Sequence, residues 1–362
     1  MATRRPIRAA LLSLALLLLL PGIAQAQGLI RDAELERTMD MLMRPILGAA
    51  GVPANTIELY LLNRRDLNAF VAGGRRVFVH SGLIMELDEA DQLQAVLAHE
   101  LGHITGGHIA RREGAARVGQ GAAILGLIVG AAAALAGSGD AAAAAAFGGS
   151  RLGQRSFFAH TRAEEAGADQ AAVTYMERAG IDPYAMLEVL SLFEGQQALS
   201  TARVDPYVLT HPLSSERIQL LEDRSAISPA RGAEVAPDTA YWYARMQAKF
   251  AGFLDHPSRT FRRYPESDTS EPAMMARAIA WARQPDIARS RVALDELIAR
   301  RPNDAYYHEL KGELMLRNAR GEEAIRAYRR AVALAPEEPL ILAGLGRALV
   351  AANTPAADAE AL

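Results

Sequence analysis

Apolar positions along this chain recur with two periods, and the period changes near the places where its chemistry lies. From Ala33 to Leu47 they fall at 35, 39, 42, 43, 46 and 47, the stripe of a helix that buries one face. Ile57–Leu62 then reads as a strand, and Asn68–Ala72, Gly73-Gly74 and Arg76–His80 read as strand, tight turn and strand. Helical spacing returns in Asp91–Ala98, with apolar residues at 93, 96 and 97, and again from Arg162 through Ala172, Val173 and Met176. A further helix is expected over Ser214–Leu221, just past Pro212. Helices around one small sheet predict a mainly helical α+β domain.

Two apolar stretches follow neither period. Ala9–Leu20 comes after Arg4, Arg5 and Arg8 and before Pro21-Gly22 and Ala24-Gln25-Ala26, the three regions of a cleavable signal peptide over residues 1–26, with the mature chain starting near Gln27. A retained anchor is the alternative, although the run is short for a span. Val118–Gly139 is uncharged but rich in alanine and glycine, a weak membrane helix. It is expected first as an apolar hairpin over a cleft, next as shallow contact with a membrane or an unfolded client, and last as an inserted segment.

Beyond about residue 225 the composition changes, and Ser228-Pro229-Ala230-Arg231-Gly232 marks a linker that opens a region of degenerate helices, 226–268. Pro302 and Pro336 are 34 residues apart, as are Gly312 and Gly346. That is the tetratricopeptide period, in which paired helices stack on their neighbours. Units are expected at 269–302 and 303–336, with a third opening at Glu337 within a repeat region 269–362, and with Ala319, Ala324 and Ala327 allowing close helix approach.

Charge and composition then narrow the chemistry. The 362 residues include no cysteine, so disulfides, thiolate ligands and cysteine nucleophiles are all excluded. The formal charge of −3 becomes −6 once the three leader arginines are removed, which leaves no basic field for nucleic acid. Histidine and carboxylate must carry any catalysis.

They do so in His99-Glu100-Leu101-Gly102-His103. Four residues apart on a helix, the two imidazoles converge on one metal, while Glu100 lies beside it, where the base that activates a water must be. His108 is five residues past His103 and is expected to face elsewhere as an ordinary polar residue. A third ligand should come from Arg162-Ala163-Glu164-Glu165-Ala166-Gly167-Ala168-Asp169, where Glu165 and Asp169 share a face. Glu165 is the candidate ligand and Glu164 its rival, since helix rotation lets either neighbour turn inward. Asp169 would hold the far nitrogen of a ligating histidine. Arg217 pairs with Asp169, with the site, or only with solvent. His80 at a strand end is expected to be structural, and spacing alone gives His211 the same reading.

With these motifs in place, the chain resembles the glutamate-ligand zinc metallopeptidases that include the prenyl-protein proteases and HtpX. The likeness is greatest to their soluble periplasmic branch, the β-barrel assembly-enhancing proteases. It rests on His99-Glu100-x-x-His103 with Glu165-x-x-Ala168-Asp169, on Gly74–Ile84 ahead of the zinc helix, on Thr210-His211-Pro212 followed by Arg217, and on the repeat tail. The resemblance implies a gluzincin-type domain over 27–225 followed by a tetratricopeptide solenoid. It assigns Glu165 over Glu164, one zinc per chain held by His99, His103 and Glu165, and a site role for His211 as oxyanion stabiliser or resting-state ligand. It also implies a periplasmic zinc endopeptidase acting on unfolded or misassembled outer-membrane β-barrel proteins, with the repeats docked on the assembly machinery.

In zinc proteases of this architecture an edge strand pairs with the extended substrate, and Val77–His80 is placed in that role, with a buried hairpin as the alternative. Two rival classes stand beside the protease. One is a chaperone or scaffold that works through its repeats over a latent zinc site. The other is a structural zinc domain with four closed ligands.

Overall fold

The computed structural model describes residues 28–108, 110, 111, 162–199 and 211–352. The leader over 1–26 and the apolar stretch 118–139 lie outside the described residues. Among those described, no helix is long and apolar enough to cross a membrane.

Helix α1 spans Ala33–Ala50, opened by the Asp32 carboxylate, which accepts from the Leu35 amide at 3.0 Å. Its six apolar stripe positions are all buried, so the periodicity located the face as well as the element. Strands β1 (Leu29–Ile30), β2 (Glu58–Leu62), β3 (Ala69–Ala72) and β4 (Arg76–His80) form one sheet in the order β1-β2-β4-β3. β3 and β4 are the expected hairpin, but β2 joins β4 in parallel, with Leu61 opposite Val79. β4 is therefore interior, hydrogen-bonded on both sides, and Val77–His80 is not the edge strand. That position belongs to β3, which packs beside the histidine-bearing helix.

The two faces of the sheet differ. Leu61, Ala69, Val77 and Val79 enter the core, while Tyr60, Phe78 and Phe70 stack across three strands on the other face, with ring centroids 5.1 and 5.2 Å apart. At the end of β4 the His80 Nδ1 lies 3.0 Å from an Asp66 oxygen, a buried contact within the fold.

A short helix α2 (Ser81–Glu86) leads into α3 (Ala90–Thr105), which starts on a reciprocal cap between Glu89 and Gln92. Every residue from Gln92 to His103 is buried, so α3 is enclosed on all sides by the sheet and by helices. Helix α4 (162–179) crosses it so closely that a β-carbon on Gly102 would stand 2.7 Å from the Ala168 carbonyl oxygen. Helices α5 (Tyr184–Leu199) and α6 (Ser215–Ala226) complete this half, with Ser214 capping α6.

The region 226–268, expected as linker and degenerate helices, holds an 18-residue helix, α7 (Pro237–Leu254), followed by α8 (Pro257–Arg263). Tyr243, Met246 and Phe250 of α7 belong to the core around α3, while Ala248 belongs to the next core. The Tyr243 hydroxyl and the Gln247 amide also donate to the Ile84 and Leu87 carbonyls at the end of α2. α7 is thus common to both halves of the molecule.

Beyond it come α9 (Glu271–Arg283), α10 (Ile287–Arg300), α11 (Ala305–Arg317), α12 (Gly321–Leu334) and α13 (Pro339–Ala352). Helix starts at Pro237, Glu271, Ala305 and Pro339 recur every 34 residues, the interval seen between the prolines. Ala324 and Ala327 are buried between these helices, but Ala319 is not: it sits exposed in the α11–α12 turn at φ 59.

Buried charge ties α7 to both sides. Arg245, fully buried, donates to Glu34 of α1 at 2.5 Å and to Asp304 before α11 at 2.5 Å. Lys249 reaches Asp32 at 2.7 Å and Glu34 at 3.1 Å. Burial alone would raise the Glu34 carboxyl, yet the two cations hold it below its ordinary value.

Candidate metal centre

The centre is assembled from four places in the chain. α3 supplies His99, Glu100 and His103, α4 supplies Glu165 and Asp169, the loop before α6 supplies His211, and α6 supplies Arg217. All seven are at least 95% buried. Helical spacing predicts four of them, because His99 and His103 on α3 and Glu165 and Asp169 on α4 lie four apart and turn toward each other where the helices cross, and the H-E-x-x-H motif adds Glu100.

His99 and His103 aim their Nε2 atoms at a common point, 3.0 Å apart. Glu165 lies 3.3 Å from each of them. His211 presents Nδ1 at 3.2 Å from His99 Nε2 and 3.1 Å from Glu165 Oε2. One donor atom from each of these four residues falls within 4.8 Å of every other. A tetrahedron with bonds of about 2.0–2.1 Å has edges of about 3.4 Å, so these separations suit a zinc-sized cation and the imidazole and carboxylate donors suit its chemistry. The four donors fit a metal. Glu164 instead lies 3.5 Å from Arg111, outside the donor set.

The residues around the donors explain their orientation. His99 Nδ1 lies 2.9 Å from Asp169, and Arg217 grips the same carboxylate with two bonds of 2.7 and 2.9 Å. Arg217 also donates to the Pro212 carbonyl at 2.7 Å, so one guanidinium ties the His211 loop to the α4 carboxylates. Burial alone would lower the His99 imidazole, but Asp169 and Glu165 hold it up at about 10, while burial takes His103 down to about 3. Glu165 stays ionised despite burial, far below the usual carboxylate range, because three imidazoles surround it. To ligate a cation, His99 would have to give up the proton that Asp169 and Glu165 hold on it.

Glu100 sits beside this set, 3.4 Å from His211 Nε2 and almost wholly buried. A carboxylate is costly to bury unless it is paired, and groups buried at that cost cluster at functional sites.

His108 departs from expectation. It is buried, and its Nδ1 lies 2.9 Å from His103 Nδ1. α3 stops at Thr105, and Gly106-Gly107, the latter at φ 66, folds the chain back under the helix. Extrapolating the helix past His103 points His108 outward, and the Gly-Gly pair is the sequence signal that it ends.

Comparison with known proteins bears directly on this geometry. The profile of peptidase family M48 matches residues 30–225, more than half of the chain and the whole of the centre. The chain belongs to peptidase family M48. It is 27% identical to a putative beta-barrel assembly-enhancing protease of Vibrio cholerae over 302 residues, 80% of this chain and 60% of that protein. With the beta-barrel assembly-enhancing protease of Yersinia pestis it shares 26% over 342 residues, 92% of this chain and 69% of the relative. A shorter match, 30% over 185 residues, is to the mitochondrial metalloendopeptidase OMA1 of Schizosaccharomyces pombe and covers half of each chain. The chain thus spans about 60–69% of the length of the bacterial relatives.

Proposed function

We propose that this protein is a periplasmic zinc-dependent endopeptidase that hydrolyses peptide bonds in misfolded or misassembled envelope proteins, outer-membrane β-barrels foremost. The observation that carries the reading is the placement of Glu100, a buried carboxylate within 3.4 Å of His211 at the side of the His99–His103–Glu165 set. A structural site with four closed ligands has no use for that fifth buried group.

His99, His103 and Glu165 would hold zinc, which when bound polarises a carbonyl and makes water acidic near neutral pH. Glu100 takes the proton of the attacking water and returns it to the leaving amine. Asp169, clamped by Arg217, fixes the tautomer and tilt of His99. His211 occupies a fourth donor position in the described form, which matches a resting site. Displaced from that position, its imidazole would be available to donate to the developing oxyanion. Among the described residues β3 has a strand partner on one side only, and its other edge, beside α3, would offer backbone hydrogen bonds to an extended substrate whatever its side chains. The leader sequence and the names of the bacterial relatives support export and the client class. The 34-residue helical period supports tetratricopeptide repeats that dock on the β-barrel assembly machinery.

Glu100→Gln tests the reading. The variant retains one zinc per chain and loses cleavage of unfolded β-barrel protein by at least about a thousandfold, within the range of a lost general base or oxyanion donor. Wild-type cleavage by Glu100→Gln would overturn the mechanism. The closed four-donor arrangement favours one second reading, a chaperone or scaffold over a latent site. Full rescue of a deletion strain by Glu100→Gln would assign the biological role to the repeats.

A further inference from the structure

We propose that His108 is a positioning residue for His103, the counterpart of Asp169 for His99. The inference rests on reading the centre as a metal site. His103 spends Nε2 on the donor set, 3.0 Å from His99 Nε2 and 3.3 Å from Glu165, so its outward nitrogen is Nδ1. In a neutral ligating imidazole that outward nitrogen carries the proton and needs an acceptor. His108 Nδ1 stands 2.9 Å away, with the rings nearly perpendicular at centroids 4.9 Å apart. The Nδ1–H of His103 donates and the lone pair of His108 Nδ1 accepts, which places the remaining proton of His108 on Nε2.

The two ligating histidines are therefore braced differently. His99 leans on an anion that an arginine neutralises, whereas His103 leans on a neutral ring. A carboxylate in place of His108 would add a further negative charge against the ring of a ligand already facing Glu165, at a turn where the neighbouring cation, Arg111, also faces Glu164. An imidazole supplies the acceptor without that charge.

The backbone is shaped for this contact. A β-carbon on Gly106 would lie 2.4 Å from His108 Nε2 and 2.9 Å from the Gly102 carbonyl oxygen, so the turn accepts no side chain while His108 occupies its place. Gly167 of α4 bounds the other side, where a β-carbon would touch the same ring at 3.7 Å. The ring is held between the end of α3 and the start of α4, the two elements that must keep register for the donors to meet.

The test uses the full mature chain and Zn²⁺ or Co²⁺ alone. Zinc affinity is read by competition with a chromophoric chelator, and the ligand field by the visible spectrum of the cobalt form. His108→Ala and Gly106→Ala are expected to weaken zinc binding about 10- to 100-fold and to change the cobalt spectrum. His108→Asn, whose side-chain oxygen restores an acceptor near the Nδ1 position, is expected to bind within a few-fold of wild type and to keep the wild-type spectrum. Thermal melting of each metal-free variant separates lost ligation from lost folding. Wild-type affinity and spectrum in His108→Ala would overturn the inference, as would an Asn variant as weak as Ala. If the wild-type chain binds neither ion, it is the metal-site reading that fails.

Discussion

Gly102 lies between the two histidines at the point where α3 touches α4, and Gly102→Ala isolates what that contact does for the site. The added β-carbon would meet Ala168 at 2.7 Å from its carbonyl oxygen, 2.9 Å from Cα and 3.2 Å from the carbonyl carbon, all of them backbone atoms that no rotamer change can move aside. Restoring an ordinary van der Waals distance requires the helices to separate by about 0.7 Å. Glu165 and Asp169 ride on α4 and both histidines on α3, so the displacement opens the donor set itself. Coordination distances tolerate only about 0.2 Å. The expected result is a fall in zinc affinity of at least tenfold and a loss of about 1–3 kcal/mol in stability from overpacking. Chelator competition and denaturant unfolding of the metal-free protein measure the two effects separately. Gly102→Ala protein that binds zinc within twofold of wild type and unfolds at the same denaturant concentration would refute the claim that this helix crossing sets the ligand geometry.

Other outcomes follow from the same coordinates. Asp169→Ala leaves the far nitrogen of His99 and the fork of Arg217 unmatched, and should weaken zinc about 10- to 100-fold, measured by metal competition. Glu34→Ala removes the carboxylate that Arg245 and Lys249 share in the interior, leaving each with a single anion, Asp304 and Asp32, and should cost up to about 3–5 kcal/mol in chemical denaturation, more than any exposed ion pair such as Arg317–Glu313. Glu309 of α11 is pushed up to about 8 by burial. A carboxyl raised on folding contributes stability that is present below its unfolded value near 4.5 and lost as pH rises through 8. Glu309→Gln should therefore melt with a flatter pH profile between 5 and 9 than wild type, and identical profiles would count against a neutral Glu309.

What could be read from the chain beforehand was whatever is encoded locally. The stripe in α1, the β3–β4 hairpin, the buried helix carrying His99 and His103, and the α4 face with Glu165 and Asp169 all rest on periods of a few residues, which spacing reveals. The placement of β4 did not come out, because a hairpin signal says which strands are consecutive neighbours and nothing about the parallel partner β2. His108 was misplaced by carrying helical phase through Gly106-Gly107, although that pair announces the end of α3. The Glu34–Arg245–Asp304 cluster left no mark, since its partners are 211 and 59 residues apart and no local pattern joins them. Ile57, Asn68 and Ser228 illustrate a related limit: strand and loop ends are set by tertiary partners, and the linker motif at 228–232 gave no hint that α7 docks so deeply.

Because α7 contributes side chains to the interiors on either side of it, the catalytic half has no severable boundary at residue 226. Cutting there would strip Tyr243, Met246 and Phe250 from around α3 and uncover the carbonyls of Ile84 and Leu87. The metallopeptidase half and the helices beyond α7 are consequently expected to melt in one cooperative event, and a load placed on those helices is transmitted through α7 to the core around the helix that carries His99 and His103.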